Sequence, residues 1–242
     1  MRDLIKRLST PLAIAAIGVV LAGPVLWQGL GLQAAETAVE IPAPVLDPID
    51  SSGNLQTAII AGGCFWGVQA VFQHTEGVES ALSGYAGGTL EDPTYRQVTT
   101  GATGHAESVA IRFDPQKISY GKVLQIFFSV AHDPTQLNRQ GPDYGTHYRS
   151  VIFTVTDEQK RVAAAYVEQL DDAQAYASPI VTDIASLKKF YPAEAYHQDY
   201  ATIHPNQPYI VYNDRPKIRS MKEIFPDFWR EKPKLVYPGS TS

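Results

Sequence analysis

The segment LQTAIIAGGCFWGVQAVFQHT, residues 55–75, restricts the fold more than any other part of the chain. Residues 55–62 form a short apolar run rich in isoleucine that ends in glycines, which is typical of a strand. Residues 67–75 space their apolar side chains as one face of a helix does. The sequence therefore predicts a strand, a tight glycine turn and a helix, with Cys64 in the turn.

The rest of the chain predicts further strands and helices that interleave. The predicted strands are 78–88, 105–115, 149–156 and 180–185. The predicted helices are 119–131, with Ser119 as N-cap, and 157–173, capped by Thr156 or Asp157. Because some strands are hairpin-like neighbours and others are separated by helices, the predicted class is α+β. We expect a mixed β-sheet with helices packed on it, a two-layer sandwich of ferredoxin-like derivation.

Residues 1–35 differ from the rest of the chain. Arg2, Lys6 and Arg7 precede residues 8–35, which carry no charge. A basic start before an apolar helix is typical of export signals, and this stretch is long enough for a signal peptide or a membrane anchor. Small residues are poorly placed for cleavage, which favours the anchor. Either way the remaining chain is expected to be periplasmic or otherwise extracytoplasmic, with membrane contact only through residues 8–35.

Residues 36–54 are rich in proline, serine and aspartate and lack an amphipathic period, which predicts a semi-extended linker. We expect the folded domain at 55–232 and a C-terminal tail at 233–242. The net charge is −5 and no run of Lys or Arg occurs, so nucleic acid is not an expected partner. We expect a monomer.

Cys64 is the only cysteine of the 242 residues. Exported proteins usually pair their cysteines, so a single one is either a reactive thiol or an inert buried side chain. A helix start offers unpaired backbone N–H groups and a positive dipole end, both of which stabilise a thiolate. The turn position therefore predicts a thiol pKa below its usual value of about 8.5.

Polar residues concentrate in three loop-like stretches, 93–107, 132–150 and 195–200. Loops held by a rigid sheet often carry chemistry. The histidines in and near these loops lack the short helical spacing of a zinc motif, and no second cysteine exists, so we expect no metal. They are His105, His132, His147, His197 and His204.

Five motifs resemble, in the same order, those of the A-type peptide methionine sulfoxide reductases. They are GGCFWG (62–67), PTYR (93–96), GHAE (104–107), RQGPDYGTHYRS (139–150) and HQDY (197–200). The resemblance covers roughly residues 55–230. It implies a peptide-methionine (S)-S-oxide reductase, an oxidoreductase that repairs oxidised proteins by reducing the S epimer of methionine sulfoxide. Whether free methionine sulfoxide is also a substrate stays open.

The resemblance also implies which residues react. Cys64 matches the nucleophile that attacks the sulfoxide sulfur and becomes a sulfenic acid. Glu107 matches the acid that protonates the oxygen, and Tyr95 and Tyr148 match two phenols that share it. A polarised sulfoxide needs a nucleophile at sulfur and donors at oxygen, which these residues supply. Nearby aromatic rings would desolvate Glu107, so we expect its pKa to be raised.

Further residues match the substrate-binding part of the family's site. Phe65 and Trp66 match an apolar pocket for the methyl group of the substrate, and aromatic edges attract sulfur. Asp143 matches a carboxylate in the substrate-binding region. His197 and Asp199 match a segment that supports the site.

The resemblance leaves one gap, which concerns recycling. Many family members carry further cysteines in the C-terminal tail that resolve the sulfenic acid, whereas this tail has none. We therefore expect no bound cofactor and an external thiol reductant, either a thioredoxin-like or glutaredoxin-like protein or a small thiol. A sulfenic acid that waits for that thiol is open to over-oxidation.

Two other functions are compatible with parts of the sequence. One is a cysteine hydrolase in which His105 or His147 activates Cys64; it would leave Glu107 and the tyrosines without a role. The other is a membrane-tethered module that binds methionine-containing peptides without catalysis through Phe65, Trp66 and the tyrosine-rich loops.

Overall fold

The computed structural model describes residues 38–48 and 53–239. The predicted N-terminal hydrophobic helix, at residues 8–35, lies outside these residues, as do the last three residues of the tail. Among the helices of the described ranges, none is both long and apolar enough to cross a bilayer.

The described residues form eight strands and six α-helices, joined by shorter helical turns. The strands are β1 (Gln56–Ala61), β2 (Val78–Ala86), β3 (Ala106–Phe113), β4 (Arg139–Gln140), β5 (Asp143–Tyr144), β6 (Val151–Thr154), β7 (Asp183–Ser186) and β8 (Phe190–Pro192). The α-helices are α1 (Phe65–Gln73), α2 (Tyr95–Val98), α3 (Tyr120–Ile126), α4 (Asp157–Asp172), α5 (Tyr200–Ile203) and α6 (Arg215–Ile224). The π-helical turns are Phe127–Ala131 and Ile210–Asp214, and the 3-10 turns are Thr146–Tyr148, Ala195–His197 and Pro226–Phe228.

Six strands form one sheet in the order β7-β6-β1-β3-β2-β8. Its neighbours are antiparallel except β6 and β7, which run parallel. Strands β4 and β5 form a separate two-stranded ribbon. The predicted mixed sheet with packed helices is thus confirmed, while its ferredoxin-like derivation stays a prediction.

The main hydrophobic core lies between the sheet and helices α1, α3 and α4. Side chains alternate along a strand, and in β3 those of Glu107, Val109, Ile111 and Phe113 point to the core face. All four are buried. Glu107 therefore continues an apolar row and is the acid at its end.

The predicted strands and helices are confirmed with small shifts at their ends. Helix α1 begins at Phe65 rather than at residue 67, because Cys64 already occupies the N-cap. Predicted helix 119–131 changes to π-helical geometry after Ile126. Strand β8 and helix α6 were not predicted, since β8 has only three residues, one of them proline, and α6 is rich in charge.

Two predicted helix caps form. The Ser119 hydroxyl accepts a hydrogen bond from the backbone N–H of Lys122 at 3.1 Å, and the Thr156 hydroxyl accepts one from Gln159 at 3.1 Å. Each satisfies an N–H group that has no partner inside the helix. Thr156, rather than Asp157, is therefore the cap of α4.

Residues 38–48, which fall in the predicted linker 36–54, are extended and pack on the helices. The Gln125 amide donates to the carbonyl of Ile41 at 2.9 Å, and the Tyr166 hydroxyl donates to the carbonyl of Pro42 at 2.7 Å. The Ile41 side chain is buried in the main core. This segment forms hydrogen bonds with α3, α4 and the π-helical turn after α3, and so contributes to the domain that it precedes.

Candidate active site

The glycine turn between β1 and α1 has space for no side chain before Cys64. Gly63 has φ of +85°, and a Cβ atom there would lie 2.4 Å from Cγ of Gln140. The Gln140 side chain is held in place because its amide bonds the backbone N–H and carbonyl of Asp133, both at 3.0 Å. The turn therefore needs glycine for its backbone conformation and for its contact with the 133–140 loop.

Glu107 lies against the first turn of α1. Its Oε2 accepts a hydrogen bond from the backbone N–H of Phe65 at 3.0 Å, and the side chain is 1% exposed. Burial raises the pKa of this carboxyl from 4.5 to about 8, opposed by the Phe65 N–H and assisted by Asp143 and Asp214. The direction is the predicted one, and at neutral pH Glu107 is mostly a protonated acid that bonds the residue after the cysteine.

The predicted depression of the Cys64 pKa is wrong. The side chain is only 8% exposed, and its burial raises the thiol pKa well above the usual range, as do the nearby carboxyls of Glu107 and Asp214. The backbone N–H of Trp66 lowers the pKa, as a helix start should, but this effect is smaller. A thiolate would be deprived of water at this position. In the free protein Cys64 is therefore a thiol.

The ring of Trp66 is fixed on several sides. It stacks on Tyr200 with ring centroids 3.8 Å apart, meets Tyr209 edge-on at 5.9 Å, and its indole N–H donates to Nδ1 of His197 at 3.3 Å. The Phe65 ring is buried, with the His197 ring 5.1 Å away. An aromatic group held this firmly can form the wall of an apolar pocket.

Tyr95 and Tyr148 converge on the same acid and thiol. Burial, Glu107 and Cys64 raise the pKa of Tyr95 to about 12, opposed by its hydrogen bond with Tyr148. Burial and the charges of Glu107, Asp143 and Cys64 also raise the pKa of Tyr148. Both phenols thus keep their protons at neutral pH and can donate hydrogen bonds.

Asp143, from the β5 strand of the ribbon, also belongs to this cluster. The hydroxyl of Tyr209 donates to its Oδ2, and burial raises the pKa of Asp143. Its charge raises the pKa values of Cys64, Glu107 and Tyr148. The structure therefore places this predicted carboxylate near Cys64, Glu107 and Tyr148.

The two predicted supporting residues play different parts. His197 contacts Trp66, as above, and its ring lies 4.3 Å from that of Tyr95. Asp199 accepts hydrogen bonds from Gln73 at 2.6 Å and from two backbone N–H groups of the C-terminal segment, at residues 236–237, both at 2.9 Å. Asp199 thus holds the C-terminal segment against the domain through these hydrogen bonds.

Sequence reasoning missed two residues near Cys64, the half-buried Tyr209 and the buried Asp214. Tyr209 bonds Asp143 and contacts Trp66, and Asp214 lies against α1, where a Cβ atom on Gly67 would be 2.2 Å from its Oδ1. Both come from the segment 208–214, PYIVYND, whose density of aromatic residues was the only available signal.

The two histidines of the hydrolase alternative differ in what their rings contact. Nδ1 of His105 accepts from the N–H of Gly88 at 3.1 Å, and its Nε2 bonds the carbonyl of Leu90 at 2.8 Å, so backbone groups occupy both nitrogens. His147 packs on Tyr148 with ring centroids 4.1 Å apart, and burial lowers its pKa. Within residues 38–48 and 53–239, no three His, Cys, Asp or Glu side chains cluster as metal ligands would.

Comparison with known proteins agrees with the geometry. The family model described as peptide methionine sulfoxide reductase matches residues 56–228. "Peptide methionine sulfoxide reductase MsrA 2" of Mesorhizobium japonicum is 60% identical over 76% of this chain and 95% of its own length. A protein of the same name from Synechocystis is 47% identical over 77% of this chain and 89% of its own length.

Solved structures give the same result. Methionine sulfoxide reductase A of Corynebacterium diphtheriae is similar at a TM-score of 0.56 and 33% identity, covering 73% of this chain and 89% of that one. Mxr1 from Saccharomyces cerevisiae in its reduced form has a TM-score of 0.57 and 30% identity, covering 67% and 92%.

Proposed function

Since this chain belongs to the peptide methionine sulfoxide reductase family, we propose that Cys64 reduces the S epimer of methionine sulfoxide in oxidised proteins. As a member, the chain is an oxidoreductase that acts on methionine sulfoxide. The epimer, the residue roles and the recycling route are our proposals. One observation carries them: the hydrogen bond from the Phe65 N–H holds protonated Glu107 beside Cys64.

The reaction has a balanced net form. The Cys64 sulfur attacks the sulfoxide sulfur and forms an S–S bond, the S–O bond breaks, and the oxygen leaves as hydroxide with a proton from Glu107. The hydroxide then attacks the Cys64 sulfur, the S–S bond breaks, and its electron pair stays on the substrate sulfur, which becomes methionine. Cys64 is left as a sulfenic acid, and the thiol proton replaces the one that Glu107 gave.

The neutral thiol and the neutral acid suit this exchange. Because burial keeps protons on both Cys64 and Glu107, the free site holds no thiolate to be oxidised by chance. A bound sulfoxide presents positive sulfur to the thiol and negative oxygen to the acid and the two phenols, Tyr95 and Tyr148. Charge then develops only where donors are already oriented.

The aromatic residues select the substrate in this proposal. Phe65 and Trp66 contact the methyl group, and Asp143 faces the substrate from strand β5. When the methyl group and the oxygen occupy these positions, only one configuration at sulfur leaves the side that faces Cys64 open to attack. In the R epimer, two of the groups on sulfur would exchange places.

We expect the purified protein, with dithiothreitol, to convert a peptide containing the S epimer to methionine at least a hundredfold faster than the R epimer. The reason is that only the S epimer meets the methyl pocket and the oxygen donors together. Chiral chromatography of the remaining sulfoxide measures the ratio. Equal consumption of both epimers would contradict the proposed geometry. A sample of free methionine sulfoxide that contains both epimers tests whether a peptide is needed.

Recycling is proposed to need a thiol from outside the chain. The described part of the tail is tied to the body, since the backbone N–H of Lys234 donates to the carbonyl of Gln73 at 2.9 Å and Asp199 binds residues 236–237. Cys64 is the only cysteine of the chain. A thioredoxin-like or glutaredoxin-like protein or a small thiol must therefore reach the sulfenic acid directly.

A single turnover without reductant should leave one sulfenic acid per chain at Cys64. Dimedone labelling and intact mass spectrometry measure it, and peroxide added at this stage should produce the sulfinic acid. A sample given dithiothreitol beforehand is the control, and it should carry no label. A stoichiometric covalent dimer would show instead that a second copy resolves the intermediate.

We further propose that the protein acts outside the cytoplasm. The support is the uncharged stretch 8–35 after three basic residues. The N-terminal residue of the mature protein, determined from a membrane and a soluble fraction, distinguishes an anchored enzyme from a released one. It also limits which thiol reductants can meet Cys64.

A further inference from the structure

Glu194 connects two elements of the site through one carboxylate. It follows β8 and precedes the 3-10 turn Ala195–His197. Its Oε1 accepts a hydrogen bond from the backbone N–H of Tyr95 at 2.8 Å, and its Oε2 accepts one from the hydroxyl of Tyr85 at 2.8 Å. Both oxygens are thus used within the protein.

The first bond fixes the start of α2. This helix has only four residues, and Tyr95 is its first. A backbone N–H at that position has no partner inside the helix, so a short helix held at few points would otherwise vary in position. Glu194 supplies the partner, and thereby locates the backbone from which the Tyr95 phenol extends.

The second bond connects Glu194 to the strand beside Glu107. Tyr85 of β2 lies directly opposite Glu107 of β3, on the same face of the sheet, and its side chain is fully buried. A buried phenol in the core is a firm reference point. Glu194 therefore sets the position of Tyr95 relative to the strand pair that carries the proton donor.

Glu194 is suited to accept two bonds. Burial by itself would raise its pKa, but the hydrogen bonds from Tyr95 and Tyr85, among others, lower it below its usual value. The ionised carboxylate offers acceptors on both oxygens. Hydrogen bonds to a charged acceptor are also shorter and stronger than neutral ones.

We propose that Glu194 is a positioning residue for the reduction step, which holds the Tyr95 phenol where the sulfoxide oxygen binds. The proposal rests on the oxygen contact that the proposed function gives to Tyr95. A displacement of about 1 Å in such a group can lower a rate by about a hundredfold. Substrate affinity should change little, because Phe65 and Trp66 still hold the methyl group.

Glu194→Ala should lower the single-turnover rate at saturating S-epimer peptide by roughly 10- to 100-fold, with less than a threefold change in the half-saturating concentration. Glu194→Gln should retain most of the rate, because its amide oxygen can accept from the Tyr95 N–H and its NH₂ group can donate to the Tyr85 oxygen. The control is Glu91→Ala, which removes an exposed carboxylate four residues before Tyr95 and should leave the rate unchanged.

A double-mutant cycle shows whether Glu194 acts through Tyr95. In the Tyr95→Phe background, Glu194→Ala should slow the reaction by less than threefold. The positioning role would be overturned if Glu194→Ala lowered the rate equally in both backgrounds, or if Glu194→Gln were as slow as Glu194→Ala. Neither result would contradict the proposed function. If Tyr95→Phe reacts at the full rate, the proposed oxygen contact fails, and the role of Glu194 fails with it. Thermal unfolding of each variant confirms that folded protein is compared.

Discussion

Cys64→Ser is expected to abolish reduction of methionine sulfoxide, with at least a 10⁴-fold loss of single-turnover rate at saturating peptide and excess dithiothreitol. A serine hydroxyl is a far weaker nucleophile toward sulfur, and its oxygen cannot take up the departing oxygen as a sulfenic acid does. Release of methionine, measured by mass spectrometry, gives the rate.

The two alternative functions predict different results for Cys64→Ser and the wild-type protein. Peptide binding by Cys64→Ser, measured by isothermal titration, should resemble that of the unchanged protein, because the aromatic pocket is intact. If the unchanged protein binds the sulfoxide peptide but releases no methionine, it is a binding module. If it instead hydrolyses an ester and Cys64→Ser does not, the cysteine hydrolase is correct.

The local part of the site could be predicted because neighbouring residues determine it. The strand, glycine turn and helix around Cys64 follow from apolar spacing over about 20 residues. Glu107 shares the core-facing side of β3 with Val109 and Ile111, and the alternation of side chains along a strand puts all three on that face. Tyr95 and Tyr148 lie far from Cys64 along the chain, and they could be predicted only through the resemblance to a family.

The parts that failed depend on contacts between distant segments. Asp214 comes from a segment 150 residues after the thiol, and nothing in its local pattern indicates that it lies against α1. The Cys64 pKa was mispredicted for the same reason: the helix start is visible in the sequence, whereas burial by the surrounding chain and the two carboxyls is not. Long-range packing determined the direction of that pKa shift.

Glu107→Gln is the second variant with a large expected effect, about a 10²- to 10³-fold loss in single-turnover rate with peptide binding retained. Glutamine can keep the bond from the Phe65 N–H but cannot give up a proton. The unchanged enzyme should react at a constant rate below pH 8 and lose about tenfold per pH unit above it, because the Glu107 pKa is about 8.

The pH profile also tests the state of Cys64. A pre-formed thiolate as the attacking species would make the rate rise with pH, since the pKa of this thiol is raised. A rise between pH 7 and 9 in the wild-type enzyme would therefore contradict attack by the neutral thiol. Glu107→Gln should lose the fall above pH 8, and Glu91→Ala, an exposed acid, should keep it.

Stability should change in the opposite direction in the same Glu107 variant. A carboxyl whose folded pKa is about 8, against about 4.3 in an unfolded chain, binds a proton more tightly when folded. Its contribution to the free energy of unfolding is greatest below pH 4 and decreases as pH rises, because ionisation of the carboxyl in the unfolded chain favours unfolding.

Glutamine does not titrate and has no such pH dependence. The free energy of unfolding of Glu107→Gln, minus that of the wild-type protein, should therefore be greater at pH 7 than at pH 4 by roughly 2–4 kcal/mol. Urea titrations of both proteins at both pH values measure this difference, and parallel pH dependence of the two would contradict a buried, protonated Glu107. A slower but more stable variant is the expected result where a proton donor is held in an apolar site that a charged carboxylate would disturb.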